Sequence, residues 1–214
     1  MCLRWWKAAF ETGFSVPLAH KRSFPLPGTP GCAFIFTDAA REAGSGYGGF
    51  SIISVLDESN NVHQLMPFLS EVWDPRVCER LQRDEVSMAA GEAFGAIAMM
   101  DAMCDSLSGL SHLVIFSDST ATVQLINSNN SSSPQMDYIF RWFVERRPTL
   151  FIMAIHIQGI HNCTSDAFSR QGGERFLAEA SAAGCTPWPL QPAHECCSMV
   201  HDVILQDQRG LLIV

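Results

Sequence analysis

The chain is poor in positive charge, and this shortage limits what it can bind through bulk electrostatics. Only 14 of its 214 residues are Lys or Arg, against 22 Asp or Glu, which leaves a formal net charge of −8 at pH 7. A protein that holds nucleic acid through charge alone carries the opposite balance. Bound cations can still create a local site for a polyanion, because they reverse the sign of the field around clustered carboxylates.

Long apolar runs are also missing. No stretch approaches the roughly 20 consecutive apolar residues that span a membrane, and the N-terminus has no apolar core of a signal peptide. We therefore expect no membrane attachment. We also expect an intracellular setting, cytoplasmic or nuclear, where thiols stay reduced.

The eight cysteines include no CxxC pair, which is the usual mark of a zinc or redox site. Cys32 and Cys104 lie in apolar runs, as buried thiols do. We therefore do not expect a cysteine-bound metal. One late group of candidate ligands matches no standard zinc spacing: His194, Cys196, Cys197 and His201.

The composition predicts one globular domain with extensions. With 47% hydrophobic and 17% charged residues, a chain of 214 residues can bury a sizeable core. Residues 1–31 hold an aromatic head and a Pro/Gly-rich linker, which we interpret as the remnant of an upstream connection. Residues 32–170 carry regular strand and helix patterns, and residues 171–214 form a C-terminal extension that resembles a short or truncated second module.

Hydrophobic patterning predicts an α/β fold. Three strands with tight connections precede a buried helix, and strands and helices alternate after it. This order predicts a five-stranded mixed sheet, with three antiparallel and two parallel strands, flanked by helices. The predicted strands are 32–37, 47–56, 62–66, 112–117 and 150–158, and the predicted helices are 87–104, 120–127, 135–147 and one beginning at 162.

Four acidic residues occupy positions where a strand ends or a helix begins or runs: Asp38, Glu92, Asp118 and Asp166. Carboxylates beside buried strands cost free energy unless a partner neutralises them. Hard divalent cations such as Mg²⁺ prefer oxygen ligands, and ligands of α/β sheets gather at the carboxyl ends of the strands. The pattern favours phosphodiester hydrolysis assisted by two metal ions. Asp84 and Glu85 are competing acids, which we interpret as capping or solvated charges.

Three segments resemble a known family. The segment from His156 to Arg170, HIQGIHNCTSDAFSR, matches the retroelement pattern H-I-P-G-x-x-N-x-x-A-D-x-L-S-R at equal length, with Gln, Ser and Phe replacing Pro, Ala and Leu. SDSTATV at 117–123 resembles T-D-S/N-x-A-x-V, and TDAA at 37–40 followed by GYGG resembles the first strand and turn. Together they resemble the ribonuclease H domain of retrotransposon polyproteins, of a gypsy-like or tyrosine-recombinase-type element, over residues 32–170.

The resemblance implies an activity and its cofactors. An enzyme of this kind hydrolyses the RNA strand of RNA–DNA hybrids by in-line attack of water, with two Mg²⁺ or Mn²⁺ ions. Asp38 would bridge the ions, Glu92 and Asp118 would hold one, and Asp166 would help hold the other. An upstream reverse transcriptase domain would be the partner and would supply substrate affinity, since the basic substrate-gripping insert of other members is missing.

Further residues receive roles from the same motifs, with structural alternatives beside them. His161 is a candidate for proton transfer or an ordinary polar loop residue. Gly48, Ser119, Asn162 and Arg170 are candidates for substrate binding. Gly48 allows close backbone approach, and Ser119 and Asn162 are equally suited to capping helices.

Other functions remain open at this level. A proofreading-type exonuclease needs Asp-x-Glu on its first strand, whereas Asp38 is followed by two alanines. A transposase or integrase ends its acidic set with Glu, whereas this chain has Asp166. The third alternative is a catalytically inactive module, derived from a retroelement, that binds nucleic acid or protein.

Overall fold

The computed structural model describes residues 31–56 and 62–205. The predicted aromatic head, most of the linker and the apolar end of the chain lie outside the described residues. The strands are β1 (Cys32–Ala39), β2 (Gly46–Ser51), β3 (Ile53–Leu56), β4 (Val62–Val72), β5 (His112–Ser117), β6 (Phe151–His156) and β7 (Cys185–Pro189). The helices are α1 (Pro75–Gln82), α2 (Met88–Ser106), α3 (Thr120–Ser128), α4 (Pro134–Arg146), α5 (Cys163–Ser169), α6 (Glu174–Ala182) and α7 (His194–Leu205), with a 3₁₀ turn at Gly159–His161.

A single mixed sheet organises the described residues, with β1 near its centre. β1 pairs antiparallel with β2 and parallel with β5, and β5 pairs parallel with β6. β4 pairs antiparallel with both β2 and β3. The predicted α/β fold with a mixed sheet flanked by helices is therefore confirmed.

The sheet has seven strands where five were predicted. One extra strand arises because the predicted strand 47–56 is interrupted at Ile52, which divides it into β2 and β3. The other is β7, which pairs parallel with β4 from Gln64↔Cys185 to Phe68↔Pro189. Residues 185–189 of the C-terminal extension thus belong to the same sheet as the core strands. The proposed domain boundary at residue 170 stays a prediction.

Both edges of the sheet carry features that oppose further strand addition. β7 contains Pro187 and Pro189, which have no N–H to donate and are tolerated on edge strands. On β6, the side chain of Asn127 pairs with both backbone groups of Ala154, with Nδ2 to O at 2.8 Å and N to Oδ1 at 2.9 Å. Blocked edges limit pairing with other chains.

Helix α2 is buried on nearly every side, as the sequence predicts. Its Ala- and Gly-rich composition lets it lie close to the sheet, and Gly95 sits where an added Cβ would be 3.1 Å from Tyr47 Cβ and 3.4 Å from the Asp38 carbonyl oxygen. Ser87 caps its first turn by accepting a hydrogen bond from the Ala90 amide. Within the described residues, no helix has the length and apolar character needed to cross a membrane.

The two faces of the sheet bury different side chains. Along β1, Ala33 and Ile35 join the core beneath α2, while Phe34 and Phe36 join the core on the opposite face. Because strand side chains alternate between faces, Asp38 continues the row of Phe34 and Phe36. It therefore points towards the face that α5 covers.

Helix α5 packs very closely on this face. A Cβ added at Gly48 would lie 2.7 Å from Phe168 Cβ and 2.9 Å from the Leu69 carbonyl oxygen. Ser70 Oγ donates a 2.7 Å hydrogen bond to the Phe168 carbonyl oxygen. These contacts fix the distance between α5 and strands β2 and β4.

Substitution of Gly48 by alanine should destabilise the fold. The new methyl group has no room unless α5 moves, and overpacking of this kind costs about 2 kcal/mol. Urea denaturation measures the change in the free energy of unfolding. Gly172→Ala is the control, since its Cβ would meet only the Ala167 carbonyl oxygen at an ordinary 3.7 Å. Equal stability of the two variants would contradict the close packing.

Candidate metal centre

Three of the four predicted acidic residues come together at one end of the sheet. Asp38 lies near the end of β1, Glu92 in the first turns of α2, and Asp118 directly after β5. Each offers a carboxylate oxygen, and these three oxygens lie within 4.8 Å of one another. The sequence places the three residues far apart, so the fold alone creates this triad of Asp38, Glu92 and Asp118.

The parallel pairing of β1 and β5 explains why the two aspartates meet. Phe36 and Phe116 are register partners in this ladder. Asp38 and Asp118 each follow two residues later, at the carboxyl ends of adjacent strands. Such ends are where open α/β sheets place their ligands. The close packing of α2 against β1 and β2 then brings Glu92 to the same point.

Burial and repulsion from neighbouring acids both favour protonation of Asp38 and Glu92. Asp38 is only 6% exposed. Burial raises its pKa to about 7, the hydrogen bond from Ser169 lowers it, and the charges of Asp118 and Asp166 raise it. Burial, followed by the charges of Asp38 and Asp118, raises the pKa of Glu92 to about 9. An environment that penalises each negative charge is one in which a cation is stabilising.

The triad suits a hard divalent cation. Its donors are all carboxylate oxygens, which Mg²⁺ and Mn²⁺ prefer over softer ligands. Glu92 Oε2 is buried and accepts no hydrogen bond within the described part of the chain. A buried carboxylate oxygen without a partner is costly, and coordination to a cation would satisfy it.

Asp166 lies at the rim, outside the triad. Its side chain is 48% exposed, and its Oδ1 accepts a 2.7 Å hydrogen bond from Arg170 Nε. Arg170 also pairs with Glu42 at 2.9 Å. The charge of Asp166 still raises the pKa values of Asp38 and Glu92. Metal binding by Asp166 and substrate binding by Arg170 stay predictions.

Asn162 does not cap α5 with its side chain, so that interpretation is wrong. The residue is buried, and its Nδ2 donates to the Thr37 carbonyl oxygen at 2.9 Å and to Asp118 Oδ1 at 3.2 Å. Its amide therefore links the turn before α5 to β1 and to the triad. A substrate contact by Asn162 stays a prediction.

Ser119 and Gly48 have structural roles that need no ligand. Ser119 Oγ caps α3 by accepting hydrogen bonds from Thr122 N at 3.3 Å and Thr122 Oγ1 at 3.0 Å. The space beside Gly48 is filled by Phe168 of α5. Their substrate-binding roles stay predictions, as does proton transfer by His161, which closes the 3₁₀ turn beside α5.

The competing acids lie among arginines, as expected of solvated charges. Asp84 pairs with Arg41 at 2.7 Å, and Glu85 pairs with Arg80 at 3.2 Å. Neither belongs to the group of acids whose ligand atoms converge.

Two residues that were not predicted from the sequence also contact the triad. His156 Nε2 donates a 3.2 Å hydrogen bond to the carbonyl oxygen of Asp118. Ser169 Oγ donates a 2.6 Å hydrogen bond to Asp38 Oδ2. No local pattern in the sequence points to Ser169, because its contact with Asp38 joins residues 131 positions apart.

Comparison with known proteins gives only structural likenesses. No known family model matches the chain, and no curated protein matches its sequence. The chain is similar to the N-terminal RNase H domain of a Mycobacterium tuberculosis protein, solved as a fusion with maltose-binding protein, at 13% identity and a TM-score of 0.43, covering 70% of this chain and 98% of that one.

Two further solved structures are similar. One is RNase H1 from the halophilic archaeon Halobacterium salinarum, at 14% identity and a TM-score of 0.40, covering 67% of this chain and 98% of that one. The other is an RNase H1 isolated from compost by a metagenomic approach, at 18% identity and a TM-score of 0.41, covering 69% of this chain and 99% of that one. The function is therefore argued from the site itself.

Replacement of Glu92 by glutamine should stabilise the metal-free protein, and more so at high pH. The wild-type free energy of unfolding should fall as the pH rises from about 4, the ordinary pKa of a glutamate, towards about 9. The reason is that the folded state binds a proton which the unfolded state has released. Glutamine has no such titration.

Urea denaturation with a chelator between about pH 5 and pH 9 measures this slope. The exposed Glu195→Gln is the control and should leave the slope unchanged. A Glu92→Gln variant whose stability follows the wild-type pH dependence would show that Glu92 is not held in a charge-penalising environment.

Proposed function

We propose that this chain is a metal-dependent nuclease that hydrolyses the RNA strand of RNA–DNA hybrids, as the ribonuclease H domain of a retroelement reverse transcriptase. The observation that carries the proposal is the triad, with three carboxylate oxygens from β1, α2 and the end of β5 within 4.8 Å of one another. The motif from His156 to Arg170 supports the retroelement origin.

The triad residues differ in the part they would take. Asp38 is the most buried of the three and lies on β1, between the end of β5 that carries Asp118 and helix α2 that carries Glu92, which suits a ligand shared by two ions. Glu92 and Asp118 would be the other ligands of the metal ion at the triad. Asp166, at the rim, would help hold the second metal ion. When bound, Mg²⁺ or Mn²⁺ would lower the pKa of a water molecule and offset the charge that develops on the leaving 3′-oxygen.

The remaining residues near the site would orient these carboxylates. Asn162 holds Asp118 through Oδ1, and His156 holds the backbone of the same residue. Arg170 restrains Asp166 from the solvent side. The chain thus supplies positioned oxygen ligands, and positioning is a large part of phosphoryl-transfer catalysis.

Affinity for the hybrid would come mainly from an upstream polymerase domain. The net charge of −8 opposes approach to a polyanion. A linked domain that binds the same substrate raises the effective concentration of the hybrid at the site. The isolated chain should therefore act on hybrids with a high KM.

Cleavage of an end-labelled RNA–DNA hybrid in Mg²⁺ or Mn²⁺ tests the activity. The wild-type chain should cut the RNA of the hybrid, and neither single-stranded RNA nor duplex DNA. Asp118→Asn should lower the rate by a factor of about 100 or more, because loss of one carboxylate weakens metal binding and alignment. Asp84→Asn, outside the triad, should retain the wild-type rate.

Two results would overturn the proposal. Cutting that persists in a chelator would exclude a metal-dependent mechanism. A folded chain that binds Mn²⁺ yet leaves the hybrid intact, both alone and fused to a polymerase domain, would favour the inactive interaction module.

A further inference from the structure

The hydroxyl of Ser169 contacts the triad from helix α5. Ser169 is 0% exposed, and its Oγ is 2.6 Å from Asp38 Oδ2 and 2.9 Å from the Asp166 carbonyl oxygen. A hydroxyl has one proton to donate. The shorter contact is to a carboxylate, and hydrogen bonds to charged acceptors are the stronger ones, so Asp38 takes the proton when it is ionised.

This hydrogen bond restrains the carboxylate of Asp38. Within residues 31–56 and 62–205, no other side chain donates a hydrogen bond to Asp38. A carboxylate with one oxygen held cannot rotate freely about its terminal bond. Asp38 Oδ1, and the lone pair of Oδ2 that accepts no hydrogen bond from Ser169, then keep a defined direction relative to Glu92 and Asp118.

Ser169 is itself held in place by its neighbours. The preceding residue, Phe168, fills the space above Gly48, and its carbonyl oxygen accepts the hydrogen bond of Ser70. Gly48 is the register partner of Asp38 on the adjacent strand. The same close packing that seats α5 therefore sets the position of the Ser169 hydroxyl relative to Asp38.

We propose that Ser169 is a positioning residue, whose hydroxyl orients Asp38 so that the triad can bind a divalent cation. The inference rests on the proposed function, in which the triad binds such cations. It assigns to α5 a second role beside carrying Asp166. Partners that orient metal ligands in this way contribute about 10- to 100-fold to metal affinity or activity.

Helix α5 offers a matched control for this role. Ser165 lies one turn earlier and is also 0% exposed. Its hydroxyl has no hydrogen-bond partner within the described part of the chain. Ser165→Ala and Ser169→Ala therefore remove the same atom from the same buried helix, and only the second change removes a contact with the triad.

Mn²⁺ binding by the whole chain tests the proposal without any need for nuclease activity. Electron paramagnetic resonance of free Mn²⁺ gives the dissociation constant. Ser169→Ala should weaken Mn²⁺ binding by a factor of about 10, and Ser165→Ala should bind as the wild type does. Thermal melting in a chelator verifies that both variants are folded. Equal Mn²⁺ binding by Ser169→Ala and the wild type would overturn the inference.

A second readout separates orientation from packing. In the cleavage assay, the loss in Ser169→Ala should be recovered by raising the Mn²⁺ concentration, because the defect lies in cation affinity. A loss that no Mn²⁺ concentration recovers would contradict a positioning role. Wild-type chain that binds Mn²⁺ but does not cut the hybrid would contradict the proposed function alone, and the binding constants would still decide the role of Ser169.

Discussion

The main physical constraint on this structure is that three carboxylates lie within a few ångströms of one another beside a hydrophobic core. Asp38 and Glu92 lose hydration on burial and are repelled by the charge of Asp118, so the metal-free fold bears a cost at both residues that shows in their raised pKa values. The parallel ladder of β1 and β5 and the small-residue surface of α2 must be stable enough to offset that cost. Either protonation or a bound cation would reduce this cost.

The chemistry of the supporting side chains follows from the same constraint. Two side chains donate hydrogen bonds to carboxylates of the triad, the amide of Asn162 to Asp118 and the hydroxyl of Ser169 to Asp38, and both donors are uncharged. They fix orientation and leave the negative charge available to a cation. A guanidinium at the same place would neutralise the site. Arg170, whose charge is felt at Asp38, instead pairs with Asp166 at the rim, where solvent screens the interaction.

The sequence predicts the parts of the fold that depend on local pattern. The strands that end at Asp38 and Asp118 are continuous apolar runs, and the buried helix around Glu92 is rich in alanine.

β7 was not predicted because its sequence, CTPWP, contains two prolines, and only its place at a sheet edge makes it a strand. The cap predicted at Asn162 is also absent because of tertiary structure. An asparagine before a helix can cap it, but here the side chain of Asn162 donates a hydrogen bond to Asp118 instead. The Ser169 contact joins residues 131 positions apart, which no local pattern reports.

Beyond the site, most positive side chains of the described residues are paired with acidic ones. The described residues contain nine arginines and no lysine, and eight of these arginines pair with an acidic side chain. The ninth, Arg146, stacks on Trp142 with its guanidinium carbon 4.7 Å from the ring centroid. Exposed ion pairs are weak and can exchange partners, but each exchange leaves an acidic side chain unpaired and adds no net positive charge. In the proposed function, attraction of the hybrid to these residues would therefore depend on the cations that the triad binds or on a neighbouring domain.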